Sequence, residues 1–171
     1  KKYKSPDKYY SEVSLPGMNL VAAKVVINGD SISMVQMGQP APPSDAKTIK
    51  SLLEENKVFP ELNYMDNGYS LKLTAIKNID GNDAYELVVN SPAGNTTTNY
   101  YDVKTGLKIR ELRSIPVMGV SQDVTTDYSD YKDISGIKFP YKMHLDQGQY
   151  AYDLEISSLL INSNLPDSEF K

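Results

Sequence analysis

Cysteine and tryptophan are absent from the 171 residues, and histidine occurs once. Without cysteine there is no disulfide, no thiolate zinc site and no cysteine nucleophile. The compartment stays open, because disulfide-free proteins occur on both sides of a membrane. A single histidine excludes the His-x-x-Glu-His pattern of a zinc peptidase. Basic runs are missing: 18 Lys+Arg stand against 22 Asp+Glu, for a net charge of −4, so nucleic acid is not an expected partner. Apolar runs such as Leu159 to Ile161 are short, so the chain is not expected to span a membrane. Glycine pairs that could cradle a phosphate ahead of a helix are absent as well. The chain opens at Lys1 with neither signal peptide nor lipidation box, which reads as a segment trimmed from a longer precursor.

The residues that are present describe an ordinary globular protein. The chain is 40% hydrophobic and 23% charged, which suits a single domain over 1–171. A chain of this length buries roughly 70% of its unfolded surface. Thirteen tyrosines stand against three phenylalanines. Tyrosine suits strands with one wet face, where the ring packs and the hydroxyl finds a partner.

Alternation with a period of two dominates the pattern. Lys1 to Tyr9 reads as a polar lead-in, followed by strands at Tyr10–Leu15, Asn19–Ile27 and Ser31–Met37. Val21, Ala23, Val25 and Ile27 share one face, and Leu20, Ala22 and Val26 make the other nearly as apolar. Asn28-Gly29 signals a tight hairpin. Gly38–Pro43 reads as a proline-rich linker into a helix over Asp45–Lys57, with Ser44 as its N-cap and Ile49, Leu52 and Leu53 as its apolar stripe. Phe59 to Leu62 ends that helix and adds apolar anchors. From Gly68 onward a meander of hairpins runs to Ile161. Its most regular strand, Ile137 to Leu145, sets Ile137, Phe139, Tyr141, Met143 and Leu145 against Lys138, Pro140, Lys142 and His144. The expected fold is mainly β: about ten antiparallel strands in one strongly curved sheet, an open half-barrel with one helix in or over its concave face.

Chemistry-bearing constellations are sparse. His144 lies between Lys142 and Asp146 on the expected wet face, with no nucleophile in a suitable context. Asp127, Asp130 and Asp133 are three apart, a spacing that alternates faces on a strand. Asp80-Gly81-Asn82-Asp83 lacks the later glutamate of a calcium loop and reads as a turn. Glu54-Glu55 reads as a solvated helix face, and Asp102 with Lys104 as a solvated turn. No enzyme activity, metal or cofactor is expected. An enzyme working with carboxylates alone would need two acidic side chains converging in a pocket. The expected site is instead an apolar cavity in the concave face. Its lining would be Leu71, Leu73, Tyr85, Leu87, Tyr100, Ile109, Phe139, Tyr141, Met143, Leu154 and Ile156, faced by Ile49, Leu52 and Leu53. The alternative is that these residues are ordinary core.

Four segments in order carry a family resemblance: FPELNY at Phe59, YYDVKTGLKIR at Tyr100–Arg110, DYSDYKDISGIKFPYKM at Asp127–Met143, and a closing tail with Asn162, Leu165, Asp167 and Phe170. Together they resemble the outer-membrane lipoprotein-sorting (LolA/LolB-like) superfamily. The resemblance implies an incomplete barrel lidded by helices, an acyl chain or lipoprotein-like ligand in the concavity, and a periplasmic or outer-membrane-associated setting. The functional arginine on an inner strand of the sorting carrier matches no position, since Arg110 and Arg113 lie elsewhere, so lipoprotein transfer does not carry over. Similar domains also close zinc peptidase-like chains of the pitrilysin type in Bacteroidetes-like sequences. An accessory module beside such an upstream peptidase domain, with no small ligand, is the alternative expectation.

Overall fold

The structure is a computed structural model that describes residues 1–15, 17–18, 20–29, 31–42, 52, 59–92, 94–117 and 120–171, with the backbone alone at 63, 115–117 and 120. The helix expected over Asp45–Lys57 lies outside the described residues, apart from Leu52, which is half-buried. Among the described residues no helix is long and apolar enough to cross a membrane, which says nothing of strands.

Two compact units divide the chain: Lys1–Asn63 with Asn162–Lys171, and Tyr64–Ile161. The first holds strands β1 (Lys2–Lys4), β2 (Lys8–Leu15), β3 (Leu20–Asn28), β4 (Ser31–Gln36) and β5 (Gln39–Pro40), paired in that order. The second holds β6 (Ser70–Ile79), β7 (Asn82–Asn90), β8 (Thr96–Asp102), β9 (Lys108–Val117), β10 (Val120–Ile134), β11 (Ile137–Asp146) and β12 (Ala151–Glu155). These form a seven-stranded antiparallel meander with β6 and β12 at its edges, so it is open rather than closed into a barrel.

Among the described residues, two open sheets and twelve strands therefore replace the single sheet of about ten strands expected from the sequence. The polar lead-in is itself a hairpin, with Lys2 opposite Tyr10 and Lys4 opposite Lys8. The expected linker begins with another, in which Met37 (φ 48°) and Gly38 (φ 77°) turn the chain so that Gln39 meets Gln36. Both turn residues adopt the left-handed conformation that matches the twist of the flanking strands. Pro40 has no N–H to offer a further strand, and β5 is the edge of its sheet. At the other end, the expected strand Tyr150–Ile161 contracts to Ala151–Glu155.

In the first unit β3 lies at the sheet's centre and is buried on both sides: Ile27 is 0% exposed and Val26 6%. The face carrying Val26, Tyr10, Lys8 and Lys2 is covered from the far end of the chain. A 3-10 turn at Asp167–Phe170 packs on β2 and β3 and buries Phe170 to 1% exposure. Its acids meet the β1–β2 lysines. Glu169 pairs with Lys2, and the Asp167 carboxylate takes Lys4 Nζ at 2.6 Å and Lys8 Nζ at 2.9 Å. Hydrogen bonds and charge from Lys4 and Lys8 push the Asp167 carboxyl down to about 2. A carboxyl depressed on folding stabilises the folded state above its unfolded value, and that contribution is lost as pH falls through its folded value. Acid titration between pH 4 and 2 should therefore loosen this turn. The check is the Asp167 carboxyl resonance followed by NMR, which should titrate nearer the ordinary carboxylate value in Lys4→Ala and Lys8→Ala.

Candidate functional site

Register through the second unit aligns side chains across the whole seven-stranded sheet. One row runs Leu73, Leu87, Asn99, Glu111, Thr126, Leu145 and Tyr152, each directly opposite the next. The neighbouring row on the same face runs Leu71, Val89, Thr97, Arg113 and Val124. On the other side of these rows Tyr128, Met143 and Leu154 lie opposite one another. This face is apolar at its flanks and polar in its middle. The middle is buried, with Asn99 and Val124 1% exposed, Val89 3% and Thr126 6%, whereas Leu73 at one flank is 62% exposed and Leu154 at the other 38%.

The reverse face carries ions. Glu86, Tyr100, Arg110, Asp127, His144 and Asp153 form a row in register. Tyr100 OH donates to Glu86 at 2.9 Å. Arg110 grips Asp127 with two nitrogens, and its Nη2 also donates to Asp80 at 2.9 Å. This two-pronged geometry joins β9 to β10 and ties in the β6–β7 turn. His144 Nδ1 lies 2.7 Å from Asp153, and that hydrogen bond raises the imidazole above its ordinary value. The side chain is half-exposed, as expected of a surface histidine.

Most of the residues expected to line a cavity fall on the first face. Leu71, Leu73, Tyr85 and Leu87 meet there across β6 and β7 through the pairs with Val89, Leu87 and Tyr101. Alternation along β11 puts Phe139, Tyr141 and Met143 on one side with Leu145, and Leu154 faces Met143. Ile156 donates its N–H to Tyr141 at 2.9 Å, just beyond the end of β12. Tyr100 departs from this set. It pairs with Glu86, one residue out of phase with Leu87 and Asn99, and belongs to the ionic face. Ile109 is half-buried on β9, beside the bulge where Tyr100 pairs with Arg110 but Tyr101 with Lys108. Leu52 is half-buried; Ile49 and Leu53 lie outside the described residues.

The polar middle is the part that sequence reasoning missed. Lys108 Nζ lies 3.3 Å from Glu111 and 5.5 Å from the Tyr128 ring centroid. Tyr128 OH donates to Glu111 at 3.4 Å, and burial pushes the Tyr128 phenol up. Asn99 Oδ1 and Arg113 Nε are buried without a hydrogen-bond partner among the described residues. A polar residue in an alternating strand reads as the wet face, so no sequence signal separates Asn99 or Arg113 from a surface residue.

The segments that carried the family resemblance are turns and ties. Asp102 is buried, not part of a solvated turn. Its Oδ1 accepts from the Thr105 N–H at 2.7 Å, the Thr105 hydroxyl at 2.7 Å and the Lys104 N–H at 3.1 Å. These bonds, led by Thr105, hold its carboxyl below the ordinary range. Asp133 Oδ1 accepts from the Gly136 N–H at 2.8 Å, closing the Ser135-Gly136 turn between β10 and β11. Both are aspartates folding the backbone locally. At FPELNY a 3-10 turn spans Pro60–Asn63. Tyr64 after it is buried, but Leu62 is 78% exposed and anchors nothing.

No protein-family model and no curated protein matches the sequence. Solved structures do match. A LolA superfamily protein from Nitrosomonas europaea aligns over 92% of this chain and 73% of its own, with 15% identity and a TM-score of 0.58. A DUF1329 family protein from Desulfovibrio piger aligns over 96% and 80%, with 16% identity and a TM-score of 0.60. The chain shares its fold with these LolA superfamily and DUF1329 proteins.

Proposed function

We propose that the mixed face of the seven-stranded sheet binds a lipid-like or other apolar ligand, and that the protein is a non-catalytic module of the cell envelope, periplasmic or associated with the outer membrane. The observation that carries this reading is the contrast between the two faces. One is filled by paired ions, while the other keeps leucines accessible at both flanks, Leu73 at 62% and Leu154 at 38%. Covering such side chains gains about 1.5–3 kcal/mol each when burial is complete. Sharing a fold with a LolA superfamily protein points the same way. No observation favours attachment to a peptidase chain.

The test is displacement of a neutral environment-sensitive dye, 1-N-phenylnaphthylamine, by long-chain fatty esters. Leu73→Asp and Leu154→Asp change exposed positions, so the fold should survive, as circular dichroism would verify. Each substitution should weaken dye binding by about ten-fold or more. Wild-type protein that neither binds the dye nor retains acyl chains in native mass spectrometry would sink the reading.

A further inference from the structure

The ionic face holds one side chain that titrates near neutrality, and it sits where the seven-stranded sheet is least secured. β12 is the last strand of that sheet, with β11 as its neighbour among the described residues. It has five residues, and all five are exposed. Such a strand lies at the low-stability end of a fold, where small side-chain energies shift the balance between paired and frayed.

The pairing puts charge where it acts most directly on this strand. Ile156 donates its N–H to Tyr141, and hydrogen-bonded positions alternate along an antiparallel pair. Counting back in twos, Leu154 and Tyr152 are hydrogen-bonded positions. Asp153 and Glu155 are then the non-hydrogen-bonded ones, opposite His144 and Lys142, where facing side chains come closest. Both form ion pairs across the strands. His144 Nδ1 is 2.7 Å from Asp153, and Lys142 Nζ is 3.3 Å from Glu155. The lysine keeps its charge through neutral pH and the histidine does not.

His144 is surrounded by acids. From β10 it faces Asp127, from β12 Asp153, and along its own strand Asp146 on one side and Lys142 on the other. Asp127 is already gripped by Arg110 of β9, and Lys142 by Glu155, so Asp153 is the carboxylate left to answer the imidazolium. We propose that His144 is a pH-dependent latch on the edge strand: charged, it pins β12 through Asp153; neutral, it lets β12 fray from β11. The hydrogen bond to Asp153, and then the charges of Asp153, Asp127 and Asp146, raise the imidazole above its ordinary value of 6.5. A group raised on folding stabilises the folded state below its unfolded value and loses that contribution as pH rises through its folded value. The latch is therefore closed in mild acid and opens as pH rises above neutrality. Fraying removes Tyr152 and Leu154 from one flank of the mixed face. The latch stands without the apolar-ligand reading; only its bearing on ligand uptake rests on that reading.

The test needs no ligand. Amide hydrogen exchange of Tyr152, Leu154 and Ile156 is followed by NMR at about pH 5.5 and about pH 8.5, on either side of the imidazole titration. Protection factors, which divide out the intrinsic rise of exchange with pH, should fall about two- to five-fold at the higher pH, the range for one exposed ion pair. Amides of β9 and β10 in the same spectra should hold their protection. Asp153→Asn and His144→Gln both change exposed side chains, and in each the fall should disappear. In Asp153→Asn the imidazole should also titrate nearer its ordinary value. Protection of β12 that does not change with pH in the wild type overturns the latch. So does a fall that persists in both variants, or one shared equally by β9 and β10.

Discussion

Phe170→Ala should lower the unfolding free energy of the first unit by about 3–5 kcal/mol, the range for truncating a fully buried phenylalanine. The ring is 1% exposed and sits in a four-residue turn that no longer helix supports. The ion pairs around it are half-exposed and contribute little by themselves. The turn is therefore held mainly by its ring. Removing the ring uncovers the β3 face that carries Val26 and frees the whole tail. Urea unfolding followed by far-ultraviolet circular dichroism reads the loss. Asp167→Ala, which removes charge and keeps the ring, should shift the curve much less. A Phe170→Ala loss below about 1 kcal/mol would place the support of this face elsewhere.

Ile27→Ala should cost about 2–5 kcal/mol. Ile27 is 0% exposed on the central strand of its sheet, between Tyr9 on β2 and Ile32 on β4. Both neighbours are fixed by backbone pairing, so a cavity there cannot readily collapse. Val13 offers a comparison on the same face: it lies opposite Ala23 but is 53% exposed. Val13→Ala should stay within about 0.5 kcal/mol of wild type. Similar losses at the two positions, measured by the same urea curves, would show that the burial gradient along this face does not govern stability.

Much of this architecture was legible. Alternation located the longer strands but not β1 or β5, and it separated the two apolar faces of Asn19–Ile27, of which Val26 is buried on one and Ile27 on the other. The cover over Val26 was not legible, because Phe170 lies far away in sequence and stands alone in a polar tail. The motif from Ile137 to Leu145 kept its alternating face. Phe139 is only half-buried, however, so the full 3–5 kcal/mol loss expected of a buried phenylalanine does not apply to it. Tyr100 was placed on the wrong side because alternation fixes phase within a strand, not between strands. A bulge or a one-residue change in a turn inverts that relation. The division into two sheets was hidden for a related reason: Gln39–Pro40 is too short to show a period, and a proline-rich run reads as linker whether or not its first residues pair.

The tail that returns to β2 and β3 gives the two units different folding problems. Every strand of the second unit pairs with its neighbour in sequence, so its contacts are local and its topology favours fast assembly. The first unit is discontinuous: Asn162–Lys171 must come back across all of Tyr64–Ile161. For a flexible chain the entropy of closing such a loop grows only logarithmically with its length. Once the intervening meander has folded, much of that freedom is already gone. A chain so arranged favours completing its middle before joining its ends, and the anchoring of Phe170 is then the closing step rather than the nucleus.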